Sequence, residues 1–172
     1  MRLTIAVSLC IGLAGCAASN ADRPTGGPVE APCWAWLSVV VPAGWWSTPE
    51  CGPNGVTYRE QGAGQFGGEI RIQALETADL GSCEAAVKAS AGGLQLQGLS
   101  FIDAAPRPEA NATASRRFEA SRFGRPMRGK IAARRSDLNG LGFCFYGVWP
   151  AGRDEQSLRD FQLMLDTAKI AK

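Results

Sequence analysis

The sequence predicts an α+β fold, an antiparallel sheet of about six to seven strands with two helices packed against it. Three observations carry this prediction. Apolar and polar residues alternate over several short runs, which is strand periodicity. Two segments repeat apolar residues at helical spacing. The breaks between these segments hold glycine, proline, aspartate and asparagine, the residues of tight turns. The chain has 172 residues, 45% hydrophobic and 20% charged, with a net charge of +2. That length holds one ordinary domain, and that composition is not the composition of a disordered chain. There is no histidine. Serine–histidine and cysteine–histidine nucleophile systems are therefore excluded, as is any metal site that needs an imidazole.

From the N-terminus, Met1 and Arg2 precede an apolar run over residues 3–15 that is too short to span a bilayer. An early positive charge, a short apolar core and small residues form a secretory signal. The run ends in Leu13-Ala14-Gly15-Cys16, which resembles the lipobox of bacterial lipoproteins. That resemblance implies cleavage before Cys16 and lipidation of its sulfur, a durable membrane anchor once more than one acyl chain is attached. Ala17 stands where an aspartate would imply inner-membrane retention. The resemblance therefore implies an outer-membrane lipoprotein facing the periplasm in a two-membrane bacterium. Residues 1–15 are then the signal peptide. Residues 16–32, rich in proline, glycine and small polar residues, are the lipidated cysteine and a flexible tether, and residues 33–172 are the domain.

Within the domain, residues 34–41 alternate, with Leu37, Val39 and Val41 on one face, and Pro42-Ala43-Gly44 ends the strand. A second strand covers 56–60. In the third, 69–75, Ile70, Ile72 and Ala74 oppose Glu69, Arg71 and Gln73, so one face is wet. Ser82 is the expected cap of a first helix, in which Cys83, Val87, Ala91 and Leu94 form one stripe and which Gly92-Gly93 ends. Further strands are expected over 99–104, 114–123, 127–135 and 142–149. Gly124-Arg125-Pro126 and Asp137-Leu138-Asn139-Gly140 supply turns between the last three. Asp154 is the expected cap of a final helix with Leu158, Phe161, Leu165 and Ala168 on its apolar face.

Of six cysteines, Cys10 leaves with the signal and Cys16 takes the lipid. Cys33, Cys51, Cys83 and Cys144 form an even set in an exported chain. Three pairings are open, and Cys33–Cys51 with Cys83–Cys144 is the favoured one. No spacing suits a metal, and no cofactor is expected. The turn Val41-Pro42-Ala43-Gly44-Trp45, the turn Gly124-Arg125-Pro126, the element order and an amphipathic last helix with Phe161 together resemble the Mog1/PsbP-like superfamily over residues 34–170, above all its bacterial envelope lipoproteins. The resemblance brings no catalytic motif and implies binding and assembly roles.

Gly62-Ala63-Gly64-Gln65-Phe66-Gly67 matches the dinucleotide fingerprint in letters only. It lies between two strands, so it reads as a glycine-rich hairpin loop. Asn111-Ala112-Thr113 fits a glycosylation sequon, which means little in a bacterial lipoprotein. Charge says more. Residues 107–135 hold nine basic against two acidic residues, a net +7, so the remainder beyond residue 15 sums to −6. Arg128, Lys130 and Arg134 share one strand face, with Arg117 on the neighbouring strand. This basic hairpin fits an anionic envelope polymer or an acidic partner protein, or else meets acids within the fold. Nucleic acid is excluded as a partner by the exported address and the lack of a binding motif. Core packing accounts for most of Trp34, Trp36, Trp45, Trp46 and Trp149. Adjacent extended residues point opposite ways, however, so Trp45 and Trp46 include a contact residue. The sequence thus predicts a lipid-anchored, non-catalytic binding or assembly factor. The alternatives are a dedicated immunity or chaperone protein for a secreted effector, and, more remotely, a hydrolase using carboxylates such as Glu60, Glu69 and Glu119. The oligomeric state is not legible.

Overall fold

The computed structural model describes residues 28–31, 34–46, 49–52, 55–109, 111–136 and 141–170. The signal, Cys16, Cys33, tether residues before 28 and the turn at 137–140 lie outside these. In chain order the elements begin with β1 (Pro28–Ala31) and β2 (Trp34–Val40), which pair antiparallel with Val29 opposite Val39. The tether expected to run to residue 32 therefore ends in a strand. Next come β3 (Glu50–Gly52), β4 (Gly55–Arg59) and β5 (Glu69–Leu75), then helix α1 (Leu80–Ser90). Strands β6 (Leu96–Phe101), β7 (Arg107–Glu109), β8 (Ala112–Arg122), β9 (Arg125–Arg135) and β10 (Gly142–Pro150) follow. Helix α2 (Asp154–Thr167) and the short β11 (Lys169–Ile170) close the chain.

The main sheet runs β3-β4-β5-β10-β9-β8-β6, with β7 pairing to β8, and every pairing is antiparallel. A small second sheet, β1-β2-β11, lies beside it. The expected α+β class is what the chain adopts, with the added strands being short ones.

Strand β10 is buried from Gly142 to Trp149 and carries apolar residues on both faces. On one face Phe143, Phe145 and Trp149 join Ile70 and Ile72 under Phe161, Met164 and Leu165 of α2 and Leu37 and Val39 of β2. On the other, Cys144, Tyr146 and Val148 join Phe118, Met127 and Ile131 under Leu80, Cys83 and Val87 of α1. Close approach at the centre needs glycine: a Cβ on Gly129 would lie 2.2 Å from the Phe118 ring, and one on Gly147 2.6 Å from the Trp149 ring.

Local details depart from expectation for identifiable reasons. Asp79, not Ser82, is the N-cap of α1; its Oδ1 accepts the Ser82 N–H at 2.8 Å while Ser82 Oγ and Thr77 Oγ1 donate to Oδ2. Asp154 is the first residue of α2 rather than its cap, because its carboxylate is turned to Trp149 and Arg117. The β8–β9 turn is Phe123-Gly124, with φ of +50° and +74°, so Arg125 and Pro126 belong to β9. Two residues of positive φ are what the right-handed strand twist favours in a two-residue hairpin. Cys51 is disulfide-bonded. The expected Cys83–Cys144 bridge is not formed: both are buried thiols in contact with each other. Burial pushes the Cys144 thiol upward, and the adjacent Cys83 adds to this.

Two predictions test this layer. Hydrogen bonds from Ser82 and Thr77 hold Asp79 down at about 2. A depressed carboxylate stabilises the fold above its unfolded value of about 4, and that stability is lost as pH falls toward 2. Asp79→Asn, which keeps a neutral cap, should lower the urea midpoint at pH 7, flatten its dependence on pH between about 4 and 2, and match the native protein near pH 2. Cys83 and Cys144 should be inert to thiol reagents in the native protein and add two reactive thiols when guanidinium unfolds it.

Candidate functional site

The β8–β9 hairpin brings Arg117 and Lys130 into direct register, on the face that α2 covers. Like charges opposite each other repel, and each is met by a group from α2. Arg117 Nη2 donates to Asp154 Oδ2, and Lys130 Nζ donates to Gln162 Oε1 at 3.0 Å. Lys130 is only 9% exposed, with its ammonium 5.7 Å from the Phe161 ring centre. Asp103, just past β6, accepts the Arg117 backbone N–H with Oδ2 at 2.7 Å and Arg107 Nη2 with Oδ1 at 2.9 Å. Arg159 on α2 is exposed and pairs with Glu155 at 2.7 Å.

These groups enclose a cavity of about 360 Å³ lined by Arg107, Arg117, Lys130, Arg159, Asp103 and Gln162, with Ser115 and Leu158. Four basic side chains line it, and Arg107, Arg117 and Arg159 are each paired with an acid, Asp103, Asp154 and Glu155. Arg117 Nε is shut off from solvent and has no hydrogen-bond partner among the described residues. The cavity is thus a cationic pocket with a guanidinium N–H to spare, suited to an anionic group.

The other sequence-singled residues fall elsewhere. Arg134 Nη1 donates to the Leu165 carbonyl at 2.7 Å, one of the oxygens that the last turn of α2 leaves without a helical partner. Arg128 pairs loosely with Glu119 at 3.5 Å on the surface. The single cationic face expected from strand register is therefore divided among the underside of α2, its C-terminal end and solvent. Trp45 is a core residue, 2% exposed, whose Nε1 donates to Asp160 Oδ2 at 2.9 Å. Trp45 is thus the inward member of the pair, whereas Trp46 is 51% exposed. Cys33 and Cys16 lie outside the described residues.

Of the candidate acids, Glu60 and Glu69 do line one cavity, and Glu119 does not. Glu60 is held by Arg153 and by the Gly68 N–H, Glu69 by Arg59 and Arg122. The glycine-rich segment is a hairpin loop between β4 and β5 with a 3-10 turn at Gly64–Phe66. Sequence reasoning missed Asp103, Arg159 and Gln162. Only Asp103's place beside the basic stretch hinted at a role.

No protein-family model matches this chain, nor does any curated protein. Its fold is similar to that of the Ran-binding protein Mog1p of Saccharomyces cerevisiae, with a TM-score of 0.59 and 12% identity over 85% of this chain and 95% of that one. It is also similar to cyanobacterial PsbP (CyanoP) from Synechocystis, with a TM-score of 0.50 and 12% identity over 84% and 91%. The domain thus has the Mog1/PsbP-like fold that its turn residues and element order resembled. At such identities the likeness is one of fold alone. No helix among the described residues is long and apolar enough to cross a membrane.

Asp154 ties Arg117 and Trp149 together, so Asp154→Ala should cost about 2 kcal/mol in urea unfolding. Arg128→Ala breaks only an exposed pair and should stay within about 0.5 kcal/mol.

Proposed function

We propose that the protein is a lipid-anchored binding or assembly factor of the bacterial envelope, with no catalysis of its own. It receives an anionic group of a partner protein or envelope polymer in the cationic pocket beneath α2. The observation that carries this reading is the convergence of four basic side chains on one cavity, with Arg117 Nε lacking a hydrogen-bond partner among the described residues. A cleft lined by one sign of charge concentrates the opposite sign. The lipobox-like Leu13-Ala14-Gly15-Cys16 supports the anchor.

The test uses full-length protein in detergent and labelled polyglutamate as the anionic probe. Native protein should bind it with affinity that falls as salt rises. Arg117→Gln and Arg159→Glu should each weaken binding at least tenfold, and Arg128→Glu, outside the pocket, should change it less than twofold. Arg159→Glu is exposed and leaves the fold intact, so it separates lost binding from lost folding. Equal binding by native and both pocket variants, or none by the native protein, overturns the reading.

A further inference from the structure

On the opposite face, α1 covers β8, β9 and β10 but stops short of the sheet edge formed by β3, β4 and β5. Two cavities of about 560 and 360 Å³ lie there side by side and share Arg59, Glu69, Gly93 and Leu94. They form one groove. Its floor is the polar face of β4 and β5, where Thr57 pairs with Arg71 and Arg59 with Glu69. One end opens at the exposed indole of Trp46, whose backbone N–H bonds to the Arg59 carbonyl at 2.8 Å. The other end holds Arg71, Thr57 and Ser90.

The charges along the groove are unevenly matched. Glu69 contacts Arg122 at 2.9 Å and Arg59 at 3.6 Å, and Arg59 also reaches Glu50 at 3.1 Å. Arg71 has no carboxylate partner among the described residues. Its polar neighbour is the Tyr146 hydroxyl, itself bonded to Ser90 Oγ at 3.0 Å. Arg71 Nε is shielded from solvent without an acceptor, beside Gly55, where a Cβ would come within 3.4 Å of it. A half-buried guanidinium without a counter-charge is costly, and its planar fork matches a carboxylate.

We infer that this groove binds an extended peptide segment of a partner, placing a carboxylate on Arg71 and an apolar side chain against Trp46. Trp46 stands level with Arg59 and Glu69, two strands across from β5, and Arg71 lies two residues further along β5, so the ends are about 12 Å apart. The ligand carboxylate and apolar group are therefore about three residues apart along an extended chain. A free small acid would occupy only the Arg71 end and leave the indole and the glycine-lined half bare. The inference stands apart from the cationic pocket, which lies on the other face of the sheet.

Fluorescence anisotropy of full-length protein in detergent tests it, with a fluorescein-labelled Leu-Ser-Gly-Asp-Ser amide and its Asn counterpart as probes. The Asp peptide should bind at least tenfold more tightly than the Asn peptide. Arg71→Gln should lose at least tenfold, Arg71→Lys less than that, and Trp46→Ala several-fold, while Arg128→Ala, outside both sites, should leave binding unchanged. Arg71→Lys keeps the charge, so it reports on the site even if Arg71→Gln is poorly folded by circular dichroism. The inference is overturned if the Asp and Asn peptides bind equally, if neither binds, or if Arg117→Gln abolishes the binding that Arg71→Gln leaves intact.

Discussion

The two-sided burial of β10 is the constraint on which the rest of the molecule depends. A strand that is apolar on both faces has to be covered on both, and one helix is assigned to each side, with β2 extending the cover over α2's face. Phe118 and Trp149 then require Gly129 and Gly147 beneath them, since any Cβ there would overlap a ring. The covers are finite: α1 has 11 residues and α2 has 14, and a main sheet of eight strands is wider than either. Both candidate sites lie where a cover ends, the groove where α1 stops and the cationic pocket where α2 meets the β7–β8 edge.

Basic residues act largely as internal ties. Arg122, 2% exposed, bonds through Nε to the Leu94 carbonyl and through Nη1 to Gln65 and Gly67, while its Nη2 makes an ion-pair contact with Glu69 rather than an aligned hydrogen bond. One guanidinium thereby joins the glycine-rich loop, the turn after α1 and β5. Arg116 does the same with Glu84 of α1 at 2.8 Å, and Arg134 with the end of α2. Breaking one partner of such a pair leaves an uncompensated charge, so these contacts fix where helices sit more than they add net stability. A local sum of +7 therefore overstates the field around the hairpin, because acids from α1, α2 and β5 return to meet it.

Much of the site was illegible for that reason. Strand register correctly put Lys130 and Arg134 on the face opposite Met127 and Ile131, but register does not say what lies above a face. Helix α2 lies above this one and consumes Arg134 while leaving Arg117 partly unpaired. Trp45 and Trp46 were legible as a split pair, because extended neighbours point opposite ways, yet which one faces inward depended on Asp160 from the distant α2. Phe123 gave no turn signal at all; a bulky residue at positive φ is uncommon, and the hairpin twist imposes it here.

What the sequence determined by itself is therefore what short-range periodicity and turn chemistry can encode: the class of fold, the alternation of β5 and β9, the apolar run of β10 and the two amphipathic helices. These depend on residues a few positions apart. Tertiary structure alone decided which charges cancel, which indole is wet, that Cys83 and Cys144 meet as thiols, and that Arg71 and Arg117 each keep an Nε donor without an acceptor among the described residues. Each of those rests on groups from different elements meeting in a low-dielectric interior, where interaction strength is set by spatial distance and solvent exclusion rather than by separation along the chain.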